Sequence, residues 1–379
     1  MFAYQKTNRY FAQVAPGIEP LAAKELEAFG AKDIKNGYRG LFFQAARPVL
    51  YTANYQSRFC SRILAPLLRF DCHSSKYLYK TARKINWQEI LSPDLTFAVS
   101  ANVANSRVRH SQYAALCIKD AVADFFSELA GRRPDVDRLR PDVRLHLHLE
   151  NNKATVYLDT SGGAMHRRGY RSESVEAPLQ ETVAAAIISY SGWDGATPLY
   201  DPFCGSGTLL LEALMQYCRI PAGWLRREFG FMRLPDYDKN LWCEIKKATD
   251  GAIRTLPKNL ISGSDIDPGA VKAARANAKL LPGGDHIEIR QQDFTRLEFR
   301  ERRTIICNPP YGIRLKKKGG MESLLEKFGE ILKQRCPKSS AYIFLGKKEL
   351  ALHLHLRAKW KKSIRTGGLD GVLLRYDMF

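Results

Sequence analysis

The second half of the chain alternates short apolar strands with helices. From about residue 180 onward, predicted strands lie at 198–200, 260–264, 287–291, 304–307 and 341–345, and helices separate most of them. This alternation predicts a mostly parallel sheet with helices on both faces. The chain ends in a predicted hairpin, at residues 361–366 and 372–377. Because the loops at the carboxyl ends of such strands gather at one edge of the sheet, that edge is where a ligand is expected.

The first 160 residues follow a different order of elements. Residues 1–70 read strand, helix, strand, strand, helix, strand, which resembles a small ferredoxin-like unit. Residues 71–160 contain helical stretches, one strand, a long helix and two final strands, which indicates a second α+β module. The S-G-G segment that follows begins a linker. We therefore predict domains at 1–70 and 71–160, a linker at 161–178 and a third domain at 179–379.

The charge of the chain is strongly positive and unevenly placed. The 379 residues include 59 Lys and Arg against 39 Asp and Glu, a formal net charge of +20. Both ends of the chain are basic, and residues 101–300 between them are almost neutral. Lys and Arg gathered on surfaces favour a polyanionic partner, although a solvated basic surface would give the same count. The 45% hydrophobic content excludes a disordered basic tail.

Several classes of protein are disfavoured by what the sequence lacks. There is no apolar run of about 18 residues, and the N-terminus has no apolar signal segment, so we predict a cytoplasmic protein. The eight cysteines form no C-x-x-C pair, and we expect them to be reduced thiols. Two histidine pairs alternate along apparent strands: His146 with His148, and His353 with His355. Neither pair has a nearby third ligand, so we predict no bound metal.

The motif D-P-F-C-G-S-G-T at residues 201–208 lies between a predicted strand and a helix. Gly205 and Gly207 allow the backbone to turn tightly and to approach a ligand without a Cβ in the way. Asp201, at the end of the strand, can accept a hydrogen bond from an amino or cationic group. The motif is neither a P-loop nor a G-x-G-x-x-G fingerprint. Taken alone, it is also consistent with an ordinary strand–helix turn.

Two further acidic positions follow the next strands. In G-S-D-I-D-P, Asp265 lies at the strand end, where doubly wound sheets hold ribose hydroxyls. Asp267 precedes Pro268, so we predict that it caps the following helix. Asp293 follows the third strand, and its carboxylate is predicted either to accept from an adenine amino group or to cap a turn.

The motif N-P-P-Y-G at residues 308–312 directly follows the fourth strand. The two prolines, Pro309 and Pro310, fix an extended backbone and leave neighbouring carbonyls unpaired by the sheet. The side-chain oxygen of Asn308 and such a carbonyl can together accept both N–H bonds of an exocyclic amino group. Tyr311 offers a flat face on which a base can stack. This combination predicts a pocket for the amino group of a nucleobase.

The three motifs in this order resemble those of class I S-adenosylmethionine-dependent methyltransferases of amino groups. H-R-R-G-Y-R at 166–171 and A-P-L-Q-E-T at 177–182 are similar to the linker and first helix of THUMP-domain RNA methyltransferases. The subgroup resembled most is the RlmL-type 23S rRNA guanine-N2 methyltransferases, often labelled N6-adenine-specific DNA methylases. The resemblance implies an α/β fold: a Rossmann-like class I methyltransferase domain, with a mostly parallel seven-stranded sheet and a C-terminal antiparallel hairpin, preceded by α+β ferredoxin-like and THUMP modules.

The resemblance also implies roles for individual residues. The cofactor would be S-adenosylmethionine, with its methionine end at Asp201, Phe203, Gly205 and Gly207, its ribose at Asp265 and its adenine at Asp293. Leu179 and Glu181 would line the same site. The target base would lie against Asn308, Pro309, Pro310 and Tyr311. The partner would be RNA, with 23S rRNA first and tRNA second, contacted by Arg167, Arg168, Arg171, Lys316, Lys317 and Lys318.

Three functions stay open at this point. The first is methylation of guanine N2 in 23S rRNA. The second uses the same chemistry on guanine N2 of tRNA or on adenine N6, because the N-P-P-Y motif recognises an amino group and not a particular base. The third is an RNA-binding assembly factor without catalysis, against which the intact motifs argue. Some members of the family carry a second methyltransferase domain, for which this sequence has no room after Phe379.

Overall fold

A computed structural model describes residues 1–171, 179–310, 320–366 and 369–379. Its first seven strands form one sheet in the order β2-β3-β1-β4-β7-β6-β5. The strands are β1 (Arg9–Val14), β2 (Lys32–Gly37), β3 (Gly40–Gln44), β4 (Cys60–Asp71), β5 (Phe97–Ala104), β6 (Val143–Glu150) and β7 (Lys153–Asp159). All neighbours in this sheet are antiparallel except β5 and β6, which run parallel.

Strand β4 joins the two predicted N-terminal modules. It has 12 residues, more than the sequence pattern predicts. Its first part pairs with β1, and its second part, from Leu64 to Asp71, pairs with β7. Leu64 lies opposite both Phe11 and Asp159. The two modules therefore share one continuous sheet.

The helices of this half pack where their apolar spacing predicts. They are α1 (Ala3–Thr7), α2 (Glu19–Ala28), α3 (Arg47–Gln56), α4 (Ser75–Ala82) and α5 (Ser111–Ala130). Helix α5 packs on β5 and α4, and its buried residues recur at helical spacing: Ala114, Cys117, Ile118, Ala121, Val122 and Phe126. Helix α1 was not predicted, because five residues carry too little periodicity.

His146 gives the first sheet a pH-dependent stability. Its side chain is 8% exposed, and its Nδ1 lies 2.9 Å from Ser100 Oγ. Burial, with smaller contributions from Arg62 and His148, lowers the pKa of His146 to about 4. The folded protein therefore keeps His146 neutral, while the unfolded chain takes up a proton near its ordinary pKa of about 6.5. The contribution of neutral His146 to the free energy of unfolding is thus fully present above about pH 6.5 and is lost as the pH falls toward 4.

We expect a His146→Gln variant to lose less stability on acidification than the wild type. Between about pH 7 and about pH 5, the histidine should account for about 2 kcal/mol of the fall in the free energy of unfolding. Urea unfolding at the two pH values measures this difference. An equal fall in the variant and the wild type would show that His146 is not the group responsible.

The second sheet also has seven strands in the described ranges, in the order β10-β9-β8-β11-β12-β14-β13. They are β8 (Leu199–Asp201), β9 (Ile261–Asp265), β10 (Glu288–Gln291), β11 (Thr304–Cys307), β12 (Ser340–Leu345), β13 (Trp360–Thr366) and β14 (Leu369–Asp377). The first five run parallel, and β14 pairs antiparallel with both β12 and β13. The predicted α/β fold with a parallel sheet and a terminal hairpin is confirmed.

The helices of this half are α6 (Glu181–Ser191), α7 (Thr208–Cys218), α8 (Lys239–Gly251), α9 (Pro268–Ala278) and α10 (Gly320–Arg335). Helix α8 was not predicted, although Asp238 caps it by accepting from Leu241 N. Short 3₁₀ segments lie at Trp87–Glu89, Gly230–Arg233, Gly284–His286, Phe294–Arg296 and Lys348–Leu354. Across the described ranges, none of the helices has the length and apolar character needed to cross a membrane.

The two sheets belong to one packed body. Helix α3 of the first half packs against α8 of the second. The rings of Tyr55 and Trp242 meet edge to face at 5.2 Å, and Tyr55 Oη donates to Asp250 at 2.5 Å. One contiguous apolar core runs from Phe2 into the second sheet. The first sheet is therefore held at a defined position relative to the edge where the sequence motifs gather.

Candidate active site

Three of the sequence motifs meet at one edge of the second sheet. Strand β8 lies between β9 and β11, and all three run parallel. Their carboxyl ends carry Asp201, Asp265 and, one residue after β11, Asn308. Burial and then the Asp201 carboxylate raise the pKa of the Cys307 thiol, so the end of β11 lies close to that of β8. The edge is the switch point at which open α/β sheets bind ligands.

The glycine loop after β8 is held by the two carboxylates. Asp201 accepts from Phe203 N at 3.0 Å, and Asp265 accepts from Gly205 N at 2.9 Å. Gly205 and Gly207 have φ values of 53° and 87°, in the left-handed region that glycine tolerates. Asp201 and Asp265 thus fix the conformation of the loop by accepting hydrogen bonds from its backbone N–H groups. The side of the loop that faces away from these carboxylates is left for a ligand.

Asp201 is buried, and this makes the site receptive to positive charge. Burial, and then the nearby Asp265 carboxylate, raise the pKa of Asp201 well above its ordinary range, while the hydrogen bond from Phe203 N opposes them. A cationic ligand beside these two carboxylates would stabilise their charged forms. A ligand with a positive centre therefore fits this part of the site.

The two acids of G-S-D-I-D-P, Asp265 and Asp267, have different hydrogen-bond partners. Asp267 accepts from Gly269 N at 2.8 Å and caps α9, which confirms its predicted capping role. Asp265 accepts from Asp267 N as well as from Gly205 N. Because a carboxylate has about four lone-pair positions, Asp265 retains acceptor capacity for hydroxyl donors.

Asp293 lies at the end of β10 and caps the short helix that follows it. It accepts from Thr295 N at 2.8 Å. The next residue, Phe294, packs against Phe203 with ring centroids 5.1 Å apart, and Phe203 also meets Phe328 at 5.0 Å. The rings connect the glycine loop to the loop after β10. Phe203 therefore lies on the same side of the site as Asp293.

Arg171 ties the predicted site residues of α6 to the glycine loop. Its guanidinium donates to Leu179 O at 2.9 Å and to Thr208 Oγ1 at 3.0 Å, and it lies 3.4 Å from Glu181 Oε1. Glu181 is buried, and no described residue forms a hydrogen bond with its Oε2. Burial raises the pKa of Glu181, while Arg171 opposes that shift. The structure thus brings Leu179 and Glu181 beside the loop and leaves one buried acceptor for a donor.

The predicted RNA contacts of the linker need correction. The prediction for Arg168 is wrong, because its side chain is only 1% exposed and binds Glu212, Met165 O and Arg58 O inside the protein. Arg171 is engaged by protein groups at the glycine loop, so its guanidinium organises the site and does not face outward. Arg167 is exposed, and its RNA contact stays a prediction.

Asn308 carries an orphaned buried acceptor. Its Oδ1 is buried and has no hydrogen-bond partner among the residues that the structure describes, and Pro309 beside it is buried as well. An unpaired buried polar atom costs about 1–3 kcal/mol, so a ligand or a water molecule that donates to this oxygen would be stabilised there. The other members of the predicted pocket and basic cluster, Tyr311 and Lys316, Lys317 and Lys318, lie outside the described residues.

Asn277 supports the glycine loop, although the sequence motifs do not predict this role. Asn277 on α9 is buried, and its side-chain amide donates to Ser206 O at 3.1 Å. Its only sequence signal is an asparagine within the alanine-rich buried stripe of α9, which includes Ala270, Ala273, Ala274 and Ala278.

A Gly263→Ala substitution should damage the site through packing alone. A Cβ at Gly263 would lie 2.8 Å from Leu210 Cδ1, 2.9 Å from Asp201 O and 3.2 Å from Cys204 Cβ. We expect a loss of about 1–3 kcal/mol in the free energy of unfolding, together with weaker ligand binding, because β8 and the loop must shift. Urea unfolding and calorimetry measure the two effects.

Gly251→Ala is the matched control, since a Cβ there meets nothing within 4 Å and the residue is helical. That variant should be as stable as the wild type or gain up to about 1 kcal/mol. Equal behaviour of the two alanine variants would contradict the close packing assigned to Gly263.

The strand order, the glycine loop after β8 and the acid after β9 define a class I methyltransferase. Residues 168–375 match the RMKL-like methyltransferase domain family. Residues 72–159 match the THUMP domain, and residues 9–64 match the RlmL ferredoxin-like domain. The chain belongs to the RMKL-like methyltransferase family.

Known proteins resemble the chain over its whole length. A Synechocystis protein, provisionally named an RNA methyltransferase, is 35% identical over all of this chain and 99% of its own length. The ribosomal RNA large subunit methyltransferase K/L of Photobacterium profundum is 38% identical over 97% of this chain. The chain spans 53% of the length of that relative. A methyltransferase crystal structure with bound SAH superposes with a TM-score of 0.86 at 26% identity, covering 98% of both chains.

Proposed function

We propose that the chain transfers a methyl group from S-adenosylmethionine to the exocyclic N2 of a guanine in 23S rRNA. The observation that carries this proposal is the buried Oδ1 of Asn308 at the switch point of the sheet, for which residues 1–171, 179–310, 320–366 and 369–379 supply no hydrogen-bond partner. An amide oxygen held there is an acceptor waiting for an N–H donor. An exocyclic amino group supplies such a donor, and a ring nitrogen without hydrogen does not.

The residues around the glycine loop fit S-adenosylmethionine. This cofactor supplies a methyl group on a positively charged sulfur, which is a good leaving group. Asp201 and Glu181 are buried carboxyl groups whose burial is compensated by a cation, and Glu181 Oε2 has no hydrogen-bond partner within the described ranges. We assign the methionine end to the loop of Asp201, Phe203, Gly205 and Gly207, with Leu179 and Glu181 beside it. We assign the ribose to Asp265 and the adenine to Asp293.

Asn308 would act by positioning the amine. A conjugated exocyclic amine is a weak nucleophile, because its lone pair is delocalised into the ring. Hydrogen bonds from its two N–H groups to Asn308 Oδ1 and to a proline carbonyl would hold the lone pair toward the methyl group. They would also stabilise the positive charge that develops on nitrogen. The product loses its proton readily to water, so no strong general base is needed.

RNA is the partner that the other half of the chain supports. The chain carries a THUMP domain, and its curated relatives are named as RNA methyltransferases. A base paired inside a helix cannot reach a pocket at the sheet edge, so the target would be unpaired or flipped at a cost of a few kcal/mol. The K/L relative is named for large-subunit rRNA, and this name supports 23S rRNA over tRNA as the proposed substrate.

Deletion of the gene and mass spectrometry of modified nucleosides tests the proposal. We expect N2-methylguanosine to disappear from one segment of 23S rRNA and to return when the wild-type gene is supplied, but not when the Asn308→Ala gene is supplied. Unchanged N2-methylguanosine in 23S rRNA would overturn the assignment. Loss of the same nucleoside from tRNA, or of N6-methyladenosine, would instead favour the alternative substrates with the same chemistry.

A further inference from the structure

A groove of about 970 Å³ crosses the open face of the first sheet. We call it the sheet groove and define it by Phe42, Arg62, His146, Tyr157, His166 and Thr182, which all line it. It begins at the β2–β3 hairpin, where Tyr38 and Arg39 line it, and ends at Thr182 in the first turn of α6. Gln180 and Thr182, on either side of Glu181 in the chain, line this end, so the groove reaches the segment that carries Glu181 of the candidate active site.

Arg62 lines the inner part of this groove, and three further arginines lie close to Arg62 or to His166 without lining the groove themselves. We call Arg62, Arg144, Arg167 and Arg226 the arginine cluster. They face one buried carboxylate, Asp159, which forms an ion pair with Arg62, and one peripheral carboxylate, Asp137, near Arg144. The remaining contacts of the cluster are to neutral carbonyls. The four guanidiniums thus outnumber these two carboxylates. Two further carboxylates line the groove: Glu150, which lies 3.4 Å from His148, and Asp370, which pairs with Arg365 at 2.8 Å.

The neighbouring titratable groups report this excess of positive charge. Burial, and then Arg167, Arg168, Arg62 and Arg226, lower the pKa of His166 to about 4. Burial, with Arg168, Arg62 and Arg144 acting against Asp159, lowers the pKa of Arg226 to about 10. His166 is therefore neutral at pH 7 and adds no further charge. A phosphate group would compensate guanidiniums that the protein itself leaves uncompensated.

Aromatic side chains lie at the outer end of the groove. Tyr38, in the β2–β3 turn, is 72% exposed, and Phe42 is 45% exposed. The Phe42 ring packs on Phe11 with centroids 4.8 Å apart. Exposed rings that are supported from behind provide faces on which bases stack. Only unpaired bases can use such faces, because those in a duplex are already stacked on one another.

We propose that the sheet groove binds an unpaired RNA segment next to the target nucleotide, with a backbone phosphate at the arginine cluster and a base on Tyr38 and Phe42. This inference rests on the proposed function for its choice of RNA. It adds the route of the strand: from the β2–β3 turn, across the first sheet, to the start of α6. Phosphate contacts would set the position of the strand, and stacking would select for single-stranded character.

The test uses the full chain and two RNA probes, a single-stranded oligonucleotide of about a dozen nucleotides and a duplex of equal length. Tyr38→Ala removes the exposed ring in a turn, and Arg167→Gln removes the exposed member of the arginine cluster. Arg254→Gln is the matched control, because Arg254 is exposed beside Cys218, at the opposite end of α7 from the glycine loop. Fluorescence anisotropy over a salt series gives the affinities, and calorimetry gives cofactor binding.

For the single strand, we expect Tyr38→Ala to weaken binding about 10-fold without changing its salt dependence. Arg167→Gln should weaken binding several-fold and reduce the slope of log K against log salt by about 1. Arg254→Gln should bind the single strand like the wild type. Duplex affinity and cofactor affinity should stay at wild-type values in all three variants. Wild-type affinity of both groove variants for the single strand, or equal losses in Arg254→Gln, would overturn the proposal.

The groove and the proposed reaction fail in different ways. If rRNA is methylated while the groove variants bind RNA like the wild type, the groove assignment is wrong and the function stands. If the variants lose binding as expected while no rRNA is methylated by the wild type, the groove assignment stands and the function is wrong. Equal losses for single strand and duplex would count against the unpaired segment.

Discussion

An Asn308→Ala variant is expected to bind S-adenosylmethionine like the wild type and to transfer methyl groups about 10²–10³-fold more slowly. The reason is that Asn308 Oδ1 is a buried acceptor without a hydrogen-bond partner in the described part of the chain, and alanine removes it. Nothing else in the described chain depends on that oxygen, so the fold should be retained. Single-turnover methylation of an rRNA fragment measures the rate, and calorimetry measures cofactor affinity.

Asn308→Asp is the conservative control for this substitution. It keeps an oxygen at the same position and replaces only the amide nitrogen. We therefore expect it to retain more activity than Asn308→Ala. A large loss of cofactor affinity in the alanine variant would contradict the role proposed for Asn308, and so would an aspartate variant that folds normally but is as slow as the alanine variant.

A Glu212→Ala variant should lose about 3–5 kcal/mol of unfolding free energy. Glu212, on α7, is fully buried, and its Oε1 accepts from Tyr170 Oη at 2.9 Å and lies 3.4 Å from Arg168 Nε. Removing the carboxylate leaves the buried Arg168 charge without its partner. The ion pair thereby fastens the linker to the helix that begins at the glycine loop. Urea unfolding measures the loss.

Two controls separate this effect from a general weakness of the core. In the double variant Arg168→Met with Glu212→Leu, no charge is left unpaired, and most of the stability should return. Asp370→Ala breaks an exposed pair with Arg365 and should cost at most about 1 kcal/mol. If the losses of Arg168→Met alone and of Glu212→Leu alone simply add in the double variant, Arg168 and Glu212 are not coupled.

The second sheet could be predicted closely because its signal is local. Strands β11 and β12 are short apolar runs, and the five parallel strands end at or next to polar or glycine residues. The joined first sheet could not be predicted in this way. The pairing of Leu64 with Asp159 connects residues far apart in the chain, and no local pattern records it. Helix α8 was missed because its apolar residues meet α3 of the other half, a partner that is not evident from its own segment.

The site residues that follow a strand could also be predicted from local sequence, whereas those that depend on distant partners could not. Residue types that follow a strand could be predicted, and Asp201, Asp265 and Asn308 do meet at one edge. Arg168 could not be assigned correctly, because a basic residue in a basic segment resembles a surface contact. Its partner Glu212 is 44 residues further along the chain, and only the fold shows that the two are buried together.

The continuity of β4 through the first sheet bears on how the enzyme would select its nucleotide. The sheet is shared by both N-terminal modules and packed on the methyltransferase half, so it has no linker between the modules at which to bend. If it moves as one unit, the distance from a point that binds RNA to the reacting amino group is constant. Such an enzyme would select its nucleotide by spacing from a structural landmark in the RNA, and the identity of the intervening bases would matter little.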